Sequence, residues 1–135
     1  MDNAALKPSQ TFNVSHLKEA DFKGGGLRGY SVYRDLGVAA ATKGLATAHV
    51  IRMVAPFTEQ LRERHHHNVE FQLVYVLKGW FKTEFEGHGA HVMKEGSCWI
   101  QPPGIRHTVL GWSDDCELLE VILPAEHETL TDTGA

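Results

Sequence analysis

Three consecutive histidines, His65, His66 and His67, carry the most obvious chemistry in this sequence. The run is internal and sits between Arg64 and an apolar stretch, so it is not an appended tag. In an extended chain, residues i and i+2 point to the same side. The imidazoles of His65 and His67 can therefore reach one point while His66 turns away, and His66 reads as a solvated turn residue. Neutral imidazole is a ligand for first-row transition ions. Gln72 follows His67 by five residues, and a bend of one residue or so returns it to the same side at the start of the next strand. Much later, His107 comes directly after Pro102-Pro103-Gly104-Ile105-Arg106. Two prolines and a glycine make a stiff corner that can deliver a side chain into a strand at a fixed angle.

The elements that must position these groups read mostly as β. Tyr30–Arg34 and Thr47–Met53 are strand candidates. Val69–Leu77 is the strongest, rich in Val, Phe, Tyr and Leu. Trp80–Glu86 alternates, with Phe81, Thr83 and Phe85 on one face and Lys82, Glu84 and Glu86 on the other. Ala90–Met93, Ser97–Ile100, His107–Leu110 and Glu117–Leu123 complete the series, with Gly and Pro turns between them. Val38–Ala41 lies close between Gly37 and Gly44 and reads as loop. Ser15–Ala20 reads as one short capped turn, and Gly24-Gly25-Gly26 as a flexible break. Many short strands at regular spacing predict an all-β sandwich or barrel. Residues 1–23 form an N-terminal arm, partly mobile; residues 24–124 form the barrel; residues 125–135 form an acidic, Thr-rich tail without fixed structure.

Two spacings in this pattern resemble the motifs of the cupin superfamily. The first, Gly-x5-His-x-His-x3,4-Glu-x6-Gly, is matched by Glu59, His65, His67, Gln72 and Gly79. The second, Gly-x5-Pro-x-Gly-x2-His-x3-Asn, is matched by Gly96, Pro102, Gly104, His107 and Gly111. The resemblance covers residues 59–111. It implies a double-stranded β-helix, the jelly-roll barrel of cupins, with a mononuclear metal inside. It carries His65, His67 and His107 over as metal ligands, with Gln72 in the place of the ligating Glu. Three positions depart from the motifs. Glu59 stands for the first Gly in a connection, Gly111 stands for the Asn at a local turn, and Gln72 alters the site itself.

The last departure has a physical consequence. An amide oxygen is a neutral ligand and a carboxylate an anionic one. Three imidazoles and one amide leave the full charge of a divalent ion in place. Such a site is expected to bind metal less tightly but to act as a stronger Lewis acid. Cupins that resemble this pattern include isomerases and lyases of sugar-derived or keto-acid substrates, and dioxygenases that use iron. The metal is one divalent transition ion: Fe, Mn, Ni or Zn.

Glu70, two residues before Gln72, shares its face on a regular strand. It is an alternative fourth ligand, a candidate catalytic acid or base, or a solvated loop residue. Arg106 is a candidate for holding a substrate carboxylate, or a surface partner for an acid. His49 reads as a satisfied structural histidine, and His88 and His91 as surface residues beside a turn. Trp80, Trp99 and Trp112 read as core or pocket wall, and Cys98 as a small buried hydrophobe.

Composition narrows the function. The 135 residues suffice for one domain, which at this size buries roughly two-thirds of its unfolded surface. With 13 Lys+Arg against 17 Asp+Glu and a net charge of −4, the basic residues are scattered. Neither nucleic acid nor an anionic membrane surface is expected as a partner. Met1–Gln10 has no apolar core of a secretory signal, and two cysteines are too few for a disulfide framework, so a cytoplasmic setting is expected. The partner expected is a small-molecule substrate or ligand. Two functions compete: a metal-dependent enzyme on a small polar substrate (keto acid, sugar-derived or diketone-like), and a binding or sensor cupin without turnover. The resemblance also implies a homodimer, with residues 28–53 supplying the paired strand.

Overall fold

Phe81, Thr83 and Phe85 are all buried, and the residues between them are half-buried or exposed, so one strand face lines an interior and the other meets solvent. The same alternation recurs along Gln72, Val74 and Val76. In the computed structural model, which describes residues 9–24, 29–62, 64–126 and 128–131, these faces belong to two antiparallel sheets. The strands are β1 (Lys23–Gly24), β2 (Ser31–Asp35), β3 (Thr47–Met53), β4 (His65–Asn68), β5 (Phe71–Lys78), β6 (Trp80–Phe85), β7 (Gly89–Lys94), β8 (Cys98–Ile100), β9 (His107–Trp112), β10 (Glu117–Leu123) and β11 (Glu128–Thr131). One sheet runs β1-β2-β3-β10-β5-β8, and the other β11-β4-β9-β6-β7. Together they form the jelly roll that the motifs implied.

The apolar core fills one end of this barrel. Ile51, Met53, Val74, Val76, Phe81, Trp112, Cys116 and Leu118 form a single buried cluster. Trp112 stacks on Tyr30 at 5.0 Å and meets Phe57 edge-on at 5.0 Å. Its indole N–H donates to the Ala55 carbonyl, so burial leaves no polar atom of the ring unpaired. Gly79 makes the β5–β6 turn with a left-handed φ of +71°. A Cβ there would strike the Ser113 hydroxyl and the Asp115 carboxylate, which explains the motif's second glycine. At Gly111, in the motif's Asn position, the Trp80 ring packs 3.4 Å from where a Cβ would lie.

Several elements differ from expectation. Val38–Ala41 is one turn of α-helix, not loop. Asp35 Oδ1 accepts the Gly37 N–H, and Gly37 adopts a left-handed φ that starts the turn. Ser15–Ala20 does not form the capped turn; only Glu19–Asp21 coil, as a 3-10 turn. Ser15 is taken up by Arg34, which donates to its hydroxyl and its carbonyl. The strand expected from Val69 starts at Phe71, because β4 and β5 lie in opposite sheets and the chain crosses between them at Val69-Glu70. Of the flexible break, Gly25 and Gly26 lie outside the described residues. In the tail, residues 128–131 pair with β4 as β11, placing Thr129 opposite His67 and Thr131 opposite His65. Without β11 the histidine strand would be a sheet edge. Cys98 is exposed, not buried: it sits on the edge strand β8 opposite exposed Tyr75. Cys116 is the buried cysteine.

Candidate metal centre

β4 presents His65 and His67 to the barrel interior, as extended backbone requires; His65 is buried and His67 half-buried. His65 lies directly opposite His107 in the pairing of β4 with β9. Ring centroids are 4.1 Å apart for His65 and His107, 5.0 Å for His65 and His67, and 5.1 Å for His67 and His107. One ring nitrogen from each lies within 4.8 Å of the others. Among the described residues this is the one group of three or more His, Cys, Asp or Glu side chains close enough to share an ion.

The Pro-Pro-Gly corner locks that geometry. Gly104, at φ +76°, donates its N–H to the His67 carbonyl, joining the corner to the histidine strand. The Ile105 carbonyl accepts from Nδ1 of His107 at 3.1 Å. That bond places the His107 proton on Nδ1 and the lone pair on Nε2, the nitrogen that a metal would take in place of its present neighbour, Gln101 Nε2 at 3.4 Å.

Gln72 stands across the barrel on β5 and is 3% exposed. Its Nε2 donates to Glu120 Oε2 at 2.7 Å, and its Oε1 accepts from Gln101 Nε2 at 3.2 Å. Gln101 Nε2 is also 3.4 Å from His107 Nε2, and Gln101 Oε1 accepts from the Trp99 indole at 3.1 Å. The indole can only donate, so it fixes which end of the Gln101 amide faces inward. Glu120 uses its second oxygen on His49, at 2.7 Å. A continuous polar chain thus runs His49–Glu120–Gln72–Gln101–His107. Burial pushes the Glu120 carboxyl upward, but His49, Gln72 and nearby His67 together outweigh it and hold it below the ordinary carboxylate range.

Sequence reasoning passed over Gln101 and Glu120. A signal was present for each. Gln101 follows Trp99 by two residues just before Pro102, which places both on one strand face. Glu120 is a lone charge in Leu118-Leu119-Glu120-Val121-Ile122, and His49 a lone polar ring between Ala48 and Val50. A charge on a buried strand needs a partner, and the β3–β10 register sets these two opposite each other. His49 is therefore satisfied, as expected.

Glu70 and Arg106 are not gathered with the imidazoles. Glu70 is exposed in the bend before β5, where its backbone N–H donates to the Leu123 carbonyl. Strand alternation therefore does not govern its side chain. Arg106 is exposed and 3.7 Å from Glu86. His88 and His91 are exposed, with a His91 ring nitrogen 2.9 Å from the His88 carbonyl.

The donor set suits a first-row divalent ion. Two buried imidazoles and one half-buried, one of the three with its tautomer fixed, match the preference of Fe, Ni, Cu or Zn, whereas Ca and Mg favour shells of oxygen.

Residues 53–122 match the family of the cupin domain. No curated protein sequence matches the chain. Among solved structures, the polyketide cyclase RemF from Streptomyces resistomycificus is similar at 17% identity and a TM-score of 0.68, covering 90% of this chain and 87% of that one. A sugar phosphate isomerase of the cupin superfamily from Silicibacter pomeroyi is similar at 18% identity and a TM-score of 0.65, covering 89% and 83%. The DMSP lyase DddQ from Ruegeria pomeroyi is similar at 17% identity and a TM-score of 0.63, covering 89% and 62%. At these identities the likeness concerns the fold. Among the described residues, no helix is long and apolar enough to cross a membrane.

Proposed function

The chain belongs to the cupin domain family, and we propose that it is a metal-dependent enzyme acting on a small keto-acid, sugar-derived or diketone-like substrate. The reaction proposed is isomerisation or elimination beside a carbonyl, with dioxygenase chemistry as the other outcome for the same centre. The observation that carries this reading is the convergence of His65, His67 and His107 within 4.8 Å inside the barrel. His65, His67, His107 and Gln72 would hold one divalent transition ion. A bound ion of that kind supplies Lewis acidity toward a substrate oxygen and lowers the pKa of water.

The chain's own residues supply the rest. Gln101 presents an amide N–H beside the His107 ligand nitrogen, where a substrate oxygen would accept it. The Thr83 hydroxyl is buried without a hydrogen-bond partner among the described residues. It lies on the same face of β6 as Phe85, which pairs with His107. A polar ligand in the barrel would relieve that unmet donor. The enclosing strands exclude water and so strengthen each of these contacts.

Assay of the purified protein against keto acids, uronates and diketones tests the reading. Turnover is expected to vanish with chelator and return with one divalent ion. Turnover without O2 consumption identifies an isomerase or lyase, and stoichiometric O2 uptake a dioxygenase. Activity that survives complete metal removal would contradict the reading.

A second reading, a binding or sensor cupin without turnover, is favoured by one observation. The two groups expected as acid–base or carboxylate-binding residues, Glu70 and Arg106, are both exposed. Saturable, metal-dependent ligand binding with no product would establish it.

The proposal also includes a homodimer built through the N-terminal edge, residues 28–53. Support comes from β1, which is only two residues long and pairs with β2 at Val32 and Tyr33 alone. Among the described residues, the remainder of β2 has no strand neighbour on that side, and such an edge needs cover. Sedimentation as a monomer at micromolar concentration would contradict this part.

A further inference from the structure

Gln72 stands where the cupin motif carries a ligating carboxylate, yet a carboxylate is still present, one residue further out. Glu120 Oε2 accepts from the Gln72 amide at 2.7 Å, while Glu120 Oε1 is held by His49 at 2.7 Å. Its side chain is only 15% exposed. A carboxylate offers only acceptors, so it must meet the NH2 end of the amide. The Gln72 oxygen is therefore turned the other way, toward Gln101, whose Nε2 donates to it and lies 3.4 Å from His107 Nε2. A reversed Gln72 amide would set its NH2 against the Gln101 NH2, donor against donor, and its oxygen against the Glu120 carboxylate.

Resting on the metal-centre reading above, we propose that Glu120, anchored by His49, is the positioning residue for Gln72. Glu120 fixes the amide with its oxygen toward the metal. Through that amide it also supplies the negative charge that a directly ligating carboxylate would bring. An N–H bonded to an anion polarises the whole amide and makes its oxygen a better donor. The neutral ligand predicted from sequence is thereby partly compensated from behind, which softens the loss of affinity expected for a Gln at this position. His49 holds the other oxygen of Glu120 and so acts on the amide through the carboxylate.

Co(II) is the probe, read by the affinity of the purified full chain and by the d–d absorption of the bound ion. In wild type one Co(II) is expected per chain; no binding would overturn the metal-centre reading itself, and the positioning role with it. Glu120→Gln is isosteric and removes the charge. It is expected to weaken Co(II) binding about 10–100-fold, the usual range for outer partners of metal ligands, and to shift the absorption bands. In a Gln72→Ala background, the same Glu120→Gln change should cost less than about two-fold, because nothing remains to position. The exchange variant Gln72→Glu with Glu120→Gln restores one carboxylate to the pair and should recover wild-type affinity or exceed it. The proposal is overturned if wild type binds one Co(II) and Glu120→Gln matches it in affinity and spectrum. It is equally overturned if Glu120→Gln costs as much without Gln72 as with it. Thermal unfolding of each metal-free variant checks the fold. Should Glu120→Gln alone not fold, the exchange variant decides: binding weaker than wild type overturns the proposal.

Discussion

Three strands of this barrel, β9, β5 and β10, carry hydrocarbon toward one end and a polar group of the histidine site toward the other. β9 begins at His107 and ends at Trp112, the buried face of β5 runs from Gln72 to Val74 and Val76, and β10 passes from Leu118 to Glu120. The apolar end gains stability from packing, with Val76 and Cys116 at 0% exposure. The polar end buries groups that would each be costly alone, and it is tolerable because nearly every one has a partner: His49 with Glu120, Glu120 with Gln72, Gln72 with Gln101, His107 with Ile105. The difference teaches where to look for each property: stability is set at the Trp112 end and chemistry at the His107 end.

Four experiments probe that separation. Trp112→Ala removes the largest buried ring and should cost about 3–5 kcal/mol in urea-induced unfolding, with metal affinity unchanged. Loss of metal affinity in a variant that still folds would erase the distinction between the ends. His107→Ala does the reverse. Outer partners of metal ligands cost 10–100-fold, so loss of a ligand itself should exceed about 100-fold, roughly 2.7 kcal/mol, and abolish turnover. The metal-free variant should unfold close to wild type, as calorimetry would show.

A smaller effect separates the ends by pH. The native Glu120 carboxyl titrates below its ordinary value of 4.5. Its contribution to stability is therefore fully present above that value and is lost as pH falls through the lower native value. Metal-free wild type should lose more stability than Glu120→Gln in that acid range. Parallel curves would show that the Glu120 contacts do not favour its ionised form in the folded chain. The smallest effect concerns the thiols. Cys98 is exposed, and Cys116 is buried with its thiol pushed up to about 12, chiefly by desolvation. One thiol per native chain should react with a thiol reagent at neutral pH; two would mean that the apolar end opens.

Much of this division was legible in the sequence. The His-x-His spacing, the Pro-Pro-Gly corner and the alternation of Phe81, Thr83 and Phe85 each follow from local geometry, and the three imidazoles met as the cupin resemblance implied. What local geometry could not supply was register. That Glu120 faces His49 depends on how β10 aligns with β3, two strands 71 residues apart at that pair. Glu70 was misleading because alternation holds only inside a strand, and the chain changes sheets at that residue. The tail strand β11 was missed because its acidic, Thr-rich composition reads as solvated, yet Thr suits a strand once β4 offers an open edge. Gln101 carried a signal only in combination with Trp99, its donor, and His107, its neighbour.

The central claim is that His65, His67 and His107 bind one ion together. X-ray absorption at the metal edge of the protein loaded with Zn(II) measures this most directly. The expected result is one ion per chain, with three imidazole rings in its first shell and the remaining ligands oxygen. A shell with one imidazole or none, a sulfur ligand from Cys98, or an undiminished signal after His107→Ala would contradict it.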